Sequence, residues 1–256
     1  MPKQTLESFF DEIAHHLPKG EYRVFRGQSS DRHRLTPTLM RAFKKMNQNP
    51  EASHYESIWK FENHLYEHFR SLVGPRIHFA SSWDTVFTMR HQGLPTRLLD
   101  WSENVGVALF FALNGERVDK PHIWILDPFK LNKKEKACTK GSLINPEEDD
   151  FFGTYYNIYA SHCMNLRKKV PHRLPIALYP SRTNDRLMAQ RGIFTIHGPD
   201  ERPMETSVAD CLTRIDIPPA LVKKLKELVG YFGINHYSVY PDLKGLSEFI
   251  EREYGY

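Results

Sequence analysis

The sequence predicts an α+β domain, a mixed or antiparallel sheet with helices packed around it, and three observations carry that expectation. Short apolar runs recur at Tyr22–Gly27, Ile123–Leu126, Leu174–Tyr179, Ile193–Ile196 and Cys211–Ile217, with the alternation or continuity of strands. Longer stretches between them place apolar residues at helical spacing. From Val105 to Leu113 the chain is apolar on every side apart from Gly106, and a helix without a polar face must be buried. No linker-like stretch divides the 256 residues, which predicts one domain over 1–256. Within it an N-terminal helix falls in 1–20, and a strand-helix extension over 206–256 packs on the same core.

Taken in order, Leu6, Phe9, Phe10, Ile13 and Leu17 share one helical face ahead of the stop signal Pro18-Lys19-Gly20. This helix is expected on the outside of the sheet. Tyr22, Val24 and Arg26 then alternate with Arg23 and Phe25 until Gly27 ends the run, so a short strand brings Arg26 to its edge. Ser53 and Glu56 have capping-box spacing, and Ile58, Phe61, Leu65, Phe69 and Leu72 carry a long helix to Gly74-Pro75. A helix over Ser82–His91 bears Trp83, Val86, Phe87 and Arg90 and delivers His91 to a Gly-Pro loop. Ser102 stands at the N-cap position of the buried helix. Lys130–Asp150 carries charges of both signs in runs and reads as a mobile surface loop. A short capped helix from near Asn184 runs into the strand Ile193–Ile196 and leaves Gln190 at their junction. Pro218-Pro219 opens a helix with Leu221, Val222, Leu225, Leu228 and Val229 inward, and the stretch from Gly233 reads as a turn, a short strand and a final capped helix.

Composition narrows the function less than the pattern does. A net charge of +4 and a pI near 8.8 suit an anionic ligand but do not by themselves argue for nucleic acid. Cys138, Cys163 and Cys211 are few, odd in number and scattered, so neither a disulfide framework nor a zinc site is expected. No run approaches the roughly 20 apolar residues of a membrane span. The first ten residues lack the pattern of a secretory signal, and a cytoplasmic protein without membrane partners is expected.

The chemistry gathers in one stretch. His91, Thr96, Arg97, Asp100 and Trp101 crowd the loop that feeds the buried helix, and reactive groups anchored on a rigid core element are how active sites are usually held. Arg26 beside Gly27 adds a guanidinium next to a residue that lets main-chain N–H groups approach a ligand. Plainer readings exist for each: a surface partner for Arg26, an Arg97–Asp100 pair pinning a turn, Trp101 as core, Gln190 as a satisfied helix-end amide. Together they favour a cleft, because several desolvated polar groups are costly unless function retains them. His64 and His68 have metal-ligand spacing without a third ligand, so no metal is expected. Tyr155, Tyr156 and Tyr159 fit either stacking on a planar ligand or half-buried packing.

These residues carry a resemblance to the FRG family, whose tripeptide stands here as Phe25-Arg26-Gly27. The block His91–Ala112, the run Arg186–Phe194, and Gly233-Ile234 followed by Tyr240–Leu246 fit in the same order. In a weaker way the chain is similar to ADP-ribosyltransferase folds, in the order Arg26, then Thr96 before an Ala-rich apolar helix, then Gln190 at a later strand edge. That resemblance implies NAD as substrate and a transferase or NAD hydrolase, acting as a bacterial toxin or phage-defence effector on a protein or nucleic-acid acceptor. Arg26, Gly27, Gln28, Arg97 and Trp101 would bind the dinucleotide. Arg26, His91, Thr96, Asp100 and Gln190 would carry the chemistry, with Asp100 orienting Arg97 or His91 or acting as a base. Many such transferases have a glutamate where Gln190 stands, and Asp185, Glu201 and Glu205 lie nearby in sequence. Two alternatives remain: a nucleic-acid enzyme or binder using the basic surface of Arg32, His33, Arg34, Lys44 and Lys45, or a nucleotide-recognising module without turnover.

Overall fold

A computed structural model describes residues 5–46, 54–79, 81–135, 142–146, 174–180, 185–198 and 200–255. Six strands form one sheet: β1 (Val24–Gln28), β2 (Leu98–Ser102), β3 (His122–Leu126), β4 (Ile176–Leu178), β5 (Gly192–Ile196) and β6 (Leu212–Asp216). Their order is β4-β5-β2-β1-β3-β6, and every neighbouring pair is antiparallel. The helices are α1 (Leu6–His15), α2 (Thr38–Met46), α3 (His54–Val73), α4 (Ser82–His91), α5 (Val105–Leu113), α6 (Pro128–Lys134), α7 (Asp185–Ala189), α8 (Met204–Ser207), α9 (Val222–Tyr231), α10 (His236–Val239) and α11 (Leu243–Tyr254). The protein is α+β, as the pattern predicts.

Alternation along the strands sorts the core into two faces. On one face, Leu98, Ile176, Leu178, Phe194 and Ile196 pack with Trp83 and Phe87 of α4, while Phe25, Ile123, Ile125 and Ile215 pack with α1, α5 and α9. On the other, Val24, Leu99, Trp101, Leu126 and Ile193 pack with Leu35, Leu131, Met204 and Cys211. β5 is buried along its whole length because both faces are covered. The first face is divided, its two clusters meeting where β1 adjoins β2.

That seam is built differently from the rest of the sheet. β1 matches β3 through five residue pairs, yet it matches β2 only at Phe25–Ser102. Beyond that pair the strands part. Over the gap lies α5, apolar throughout and buried as its sequence requires. It presses close to β1 because Gly27 has no side chain: a Cβ there would stand 1.8 Å from the Ala108 carbonyl oxygen. Gly27 therefore continues the strand instead of ending it, and β1 is an interior strand with Arg26 at its middle rather than its edge. A glycine inside a strand often marks this kind of close approach.

Other expectations change for local reasons. Asn104, not Ser102, caps α5, its side chain accepting from Gly106 N at 2.8 Å, while Ser102 closes β2. Pro128–Lys134 is a helix capped by Asp127 with Leu131 and Asn132 buried, so the segment expected as a surface loop begins as packed structure. The short strand expected after Gly233 is instead α10, because Asn235 and Ser238 satisfy each other's main-chain N–H groups in a capping box. Leu72 is exposed at 70% although its spacing placed it inward. The capping box at Ser53 and Glu56, the three tyrosines, Cys138 and Cys163 lie outside the described residues or their described side chains. Among the described residues no helix is long and apolar enough to cross a membrane.

Candidate functional site

A cavity of about 320 Å³ opens at the seam, on the face that carries α4, α5 and α7. Phe25 and Gly27 of β1, Asp100 and Ser102 of β2, and Ala108 and Phe111 of α5 line one side. Phe87, Arg90 and His91 of α4, Arg186 and Leu187 of α7, Gln190, Phe194 and Tyr240 line the other. The walls are therefore aromatic, and among the described residues its charged lining groups are three guanidinium groups and one carboxylate.

Asp100 is the hub of that charge. It projects from β2 on the cavity face, opposite Phe194 in the β2–β5 register. Arg90, at the last turn of α4, grips it in a fork, Nε lying 3.0 and 3.1 Å from the two carboxylate oxygens and Nη2 closing the second arm. Arg90 Nη1 also donates to Thr38 Oγ1 at 3.1 Å. Arg26 approaches from the opposite side. Alternation sends its side chain off β1 away from Phe25, but the gap between the strands lets Nη1 reach the Asp100 carbonyl at 2.5 Å and its carboxylate at 3.6 Å. Among the described residues Arg26 Nε has no hydrogen-bond partner.

The electrostatics follow from this crowding. Burial alone pushes the Asp100 carboxyl up, but Arg90, then Arg26 and Arg186, outweigh it and hold the group down at about 2. Burial pulls Arg26 down to about 10, with Asp100 opposing and Arg90 and Arg41 adding to the fall. The Asp100 side chain still keeps 38% of its surface open, toward the cavity. Burial, then Arg186, depresses His91 below the ordinary imidazole range, with Asp242 opposing, which favours the neutral ring. Burial raises the Tyr240 hydroxyl, which stays protonated.

Gln190 sits where the sequence places it, between α7 and β5, and it lines the same cavity as Arg26. Its Nε2 donates to the Val239 carbonyl at 3.0 Å, and its main-chain carbonyl accepts from Ser102 Oγ at 2.6 Å. The structure thus brings Arg26, Gly27, His91, Asp100 and Gln190 together. Other expected residues turn elsewhere. Trp101 is among the residues that line the cavity, but its indole belongs to the cluster on the opposite side of β2, where Nε1 donates to Thr195 Oγ1 at 3.1 Å. Gln28 also lies on that face, its Oε1 meeting Trp124 Nε1 at 2.8 Å and His122 Nε2 at 3.1 Å. Arg97 is 1% exposed and is held by Glu62 at 2.7 Å and the His197 carbonyl at 2.9 Å. The partner of Asp100 is therefore Arg90, not Arg97. Thr96 is buried beside Thr38 and Leu39, outside the cavity lining. Of the nearby carboxylates, Asp185 is exposed at the start of α7, and Glu205 pairs with Arg34 and accepts from Leu35 N.

Three residues of the site carry no role in the sequence reading. Arg90 recurs at helical spacing with Trp83, Val86 and Phe87, and an arginine on the buried face of a helix is a usable sign of a buried anion. Arg186 stands four residues before Gln190 and so shares its helical face. Tyr240 gives no such sign, since only the fold brings the turn after α10 over α7.

Residues 21–120 match the FRG domain. The chain carries an FRG domain. The match runs from the lead into β1 to the residues just before β3, and so takes in Arg26, Gly27, Arg90, His91 and Asp100. Arg186, Gln190 and Tyr240 complete the cavity from outside the matched FRG segment. No curated protein and no solved structure matches the chain. Among the described residues no group of three or more His, Cys, Asp or Glu side chains is arranged to hold a metal ion, and His64 and His68 only bring their rings to 6.0 Å.

Proposed function

We propose that the cavity binds NAD and cleaves its nicotinamide–ribose bond, making the protein an ADP-ribosyltransferase or NAD hydrolase. The observation that carries this reading is the convergence of Arg26, Asp100 and Gln190, from three distant segments, on one aromatic-walled cavity with a surplus of positive charge. Surplus guanidinium groups suit the pyrophosphate, and the buried Arg26 Nε has no partner of its own among the described residues. Aromatic faces from Phe25, Phe87, Phe111 and Tyr240 suit the nicotinamide.

In the reaction the bond between ribose C1′ and the nicotinamide nitrogen breaks, and both electrons leave with nicotinamide. The ribose is left as an oxocarbenium cation, which a water or an acceptor hydroxyl captures while releasing a proton to solvent. A carboxylate held at about 2 is a poor base at neutral pH and a good fixed negative charge, so Asp100 stabilises the cation instead of abstracting a proton. This supplies the charge that neutral Gln190 lacks. Gln190 orients a ribose hydroxyl, and Arg90 and Arg26 hold the Asp100 carboxylate in place beside the cavity. An NAD-consuming activity of this kind is consistent with a toxin or phage-defence role.

The test is nicotinamide release from NAD, with protein, RNA and DNA acceptors offered in turn. The wild type releases nicotinamide, while Arg26→Ala and Gln190→Ala each lose at least tenfold. Intact NAD under all acceptor conditions excludes the reaction, and nucleotide binding without release favours a recognition module.

A further inference from the structure

The site cavity shares a wall with a second hollow of about 520 Å³, both being lined by Phe111, Arg186 and Tyr240. The wall is a stack: the Arg186 guanidinium carbon stands 4.4 Å from the Tyr240 ring centroid, and Nη1 donates to the His91 carbonyl at 3.2 Å. One side of this wall is the cavity with three arginines to one carboxylate. The other is balanced, Arg186, Lys244 and Arg252 facing Glu116, Asp242 and Glu248. A surplus of one sign suits phosphate, whereas balanced donors and acceptors suit an uncharged group rich in hydrogen-bonding atoms.

His236 supplies the second observation. It lines the hollow, is 9% exposed, and its Nε2 has no hydrogen-bond partner among the described residues. Its Nδ1 lies 3.4 Å from the Glu248 carboxylate without completing a hydrogen bond. Buried ring nitrogens are normally satisfied, so one without a partner beside a hollow marks a position for a ligand atom. Tyr240 stacks on the imidazole and Phe110 meets it edge-on, their centroids 6.2 and 4.9 Å away. Size points the same way. About 320 Å³ is at the low end of the roughly 300–1,000 Å³ that ligand pockets span, small for two nucleosides and a pyrophosphate.

We propose that the second hollow is a purine-nucleoside subsite, in which the adenosine half of a dinucleotide lies against Phe110 and Tyr240 and hydrogen-bonds His236 while Arg186 holds the pyrophosphate at the shared wall. The dinucleotide part of this proposal rests on the reaction proposed above; the subsite itself does not.

Adenosine monophosphate and nicotinamide mononucleotide are titrated separately by calorimetry against the full chain. The wild type binds both. His236→Phe and Glu116→Trp each weaken adenosine monophosphate at least tenfold and leave nicotinamide mononucleotide unchanged, and Arg26→Ala does the reverse. Glu116 is on the exposed rim, so its replacement fills the hollow without disturbing packed atoms and decides the matter if the histidine variant fails to fold. Indifference of adenosine monophosphate to both variants, competition of the two mononucleotides for one site, or failure of adenosine monophosphate to bind the wild type overturns the subsite. Absence of nicotinamide release with the variant pattern intact removes the reaction and leaves the subsite standing.

Discussion

Replacing Gly27 by alanine separates two roles that one glycine can play beside Arg26. If the residue is glycine so that main-chain groups approach a ligand, alanine impairs binding and leaves the fold alone. The structure gives the other answer. The new Cβ would lie 1.8 Å from the Ala108 carbonyl oxygen and 2.7 Å from the Ala112 nitrogen, on the hydrogen bond that joins those two turns of α5. Ordinary contact begins near 3.4 Å, so strand and helix must part by about 1.6 Å. Overpacking costs about 1–3 kcal/mol, and because the obstacle is helix main chain that cannot rotate aside, the upper end applies, about 3 kcal/mol. For a chain of this size that is roughly 6–12 °C in Tm. Urea unfolding followed by tryptophan fluorescence, with a thermal scan alongside, measures the change. A loss below about 1 kcal/mol would refute the idea that Gly27 serves the α5 contact.

The remaining predictions use the same site. Because the Asp100 carboxyl is held at about 2 in the folded protein, it adds stability that is fully present above the ordinary carboxylate range and is lost as pH falls from about 4 toward 2; stability measured across pH 2–5 shows this slope in the wild type and a shallower one in Asp100→Asn, and identical slopes count against the Arg90–Asp100–Arg26 network. Glu62→Leu leaves Arg97 charged and buried, so about 3–5 kcal/mol of stability is lost in chemical denaturation; a neutral outcome means Arg97 finds another partner. Trp101→Phe removes the bond to Thr195 on the far face of β2, at a cost of about 1 kcal/mol with nucleotide binding unchanged, and weakened binding would return the indole to the site.

The sequence exposes what is local. Strand alternation at Val24–Gln28, His122–Leu126 and Gly192–Ile196, the faceless helix Val105–Leu113, and the helix delivering His91 are all legible, because burial imprints a period on the chain. The position of Gln190 follows from the same reasoning. What depends on strand order is not legible: β1 and β2 share one residue pair, and the seam this opens decides which polar residues meet. Arg97 and Asp100 are three residues apart and looked like partners, yet Arg97 turns to Glu62 from α3 and Asp100 to Arg90 from α4. The Trp101 indole and the Gln28 amide point away from the cavity face for a simpler reason, since a strand sends neighbouring side chains to opposite faces. Gly27 shows that one residue type serves as strand end or as close-approach point, and the sequence alone does not separate the two.

The most direct test of the account is a crystal structure of the protein soaked with NAD or, if that is turned over, ADP-ribose. The account predicts density in the cavity at the β1–β2 seam, with the pyrophosphate on guanidinium groups of Arg26, Arg90 or Arg186 and a ribose hydroxyl within hydrogen-bond reach of Gln190. Ligand bound elsewhere, or an empty seam with Arg26 still closed on Asp100 at saturating nucleotide, would contradict it.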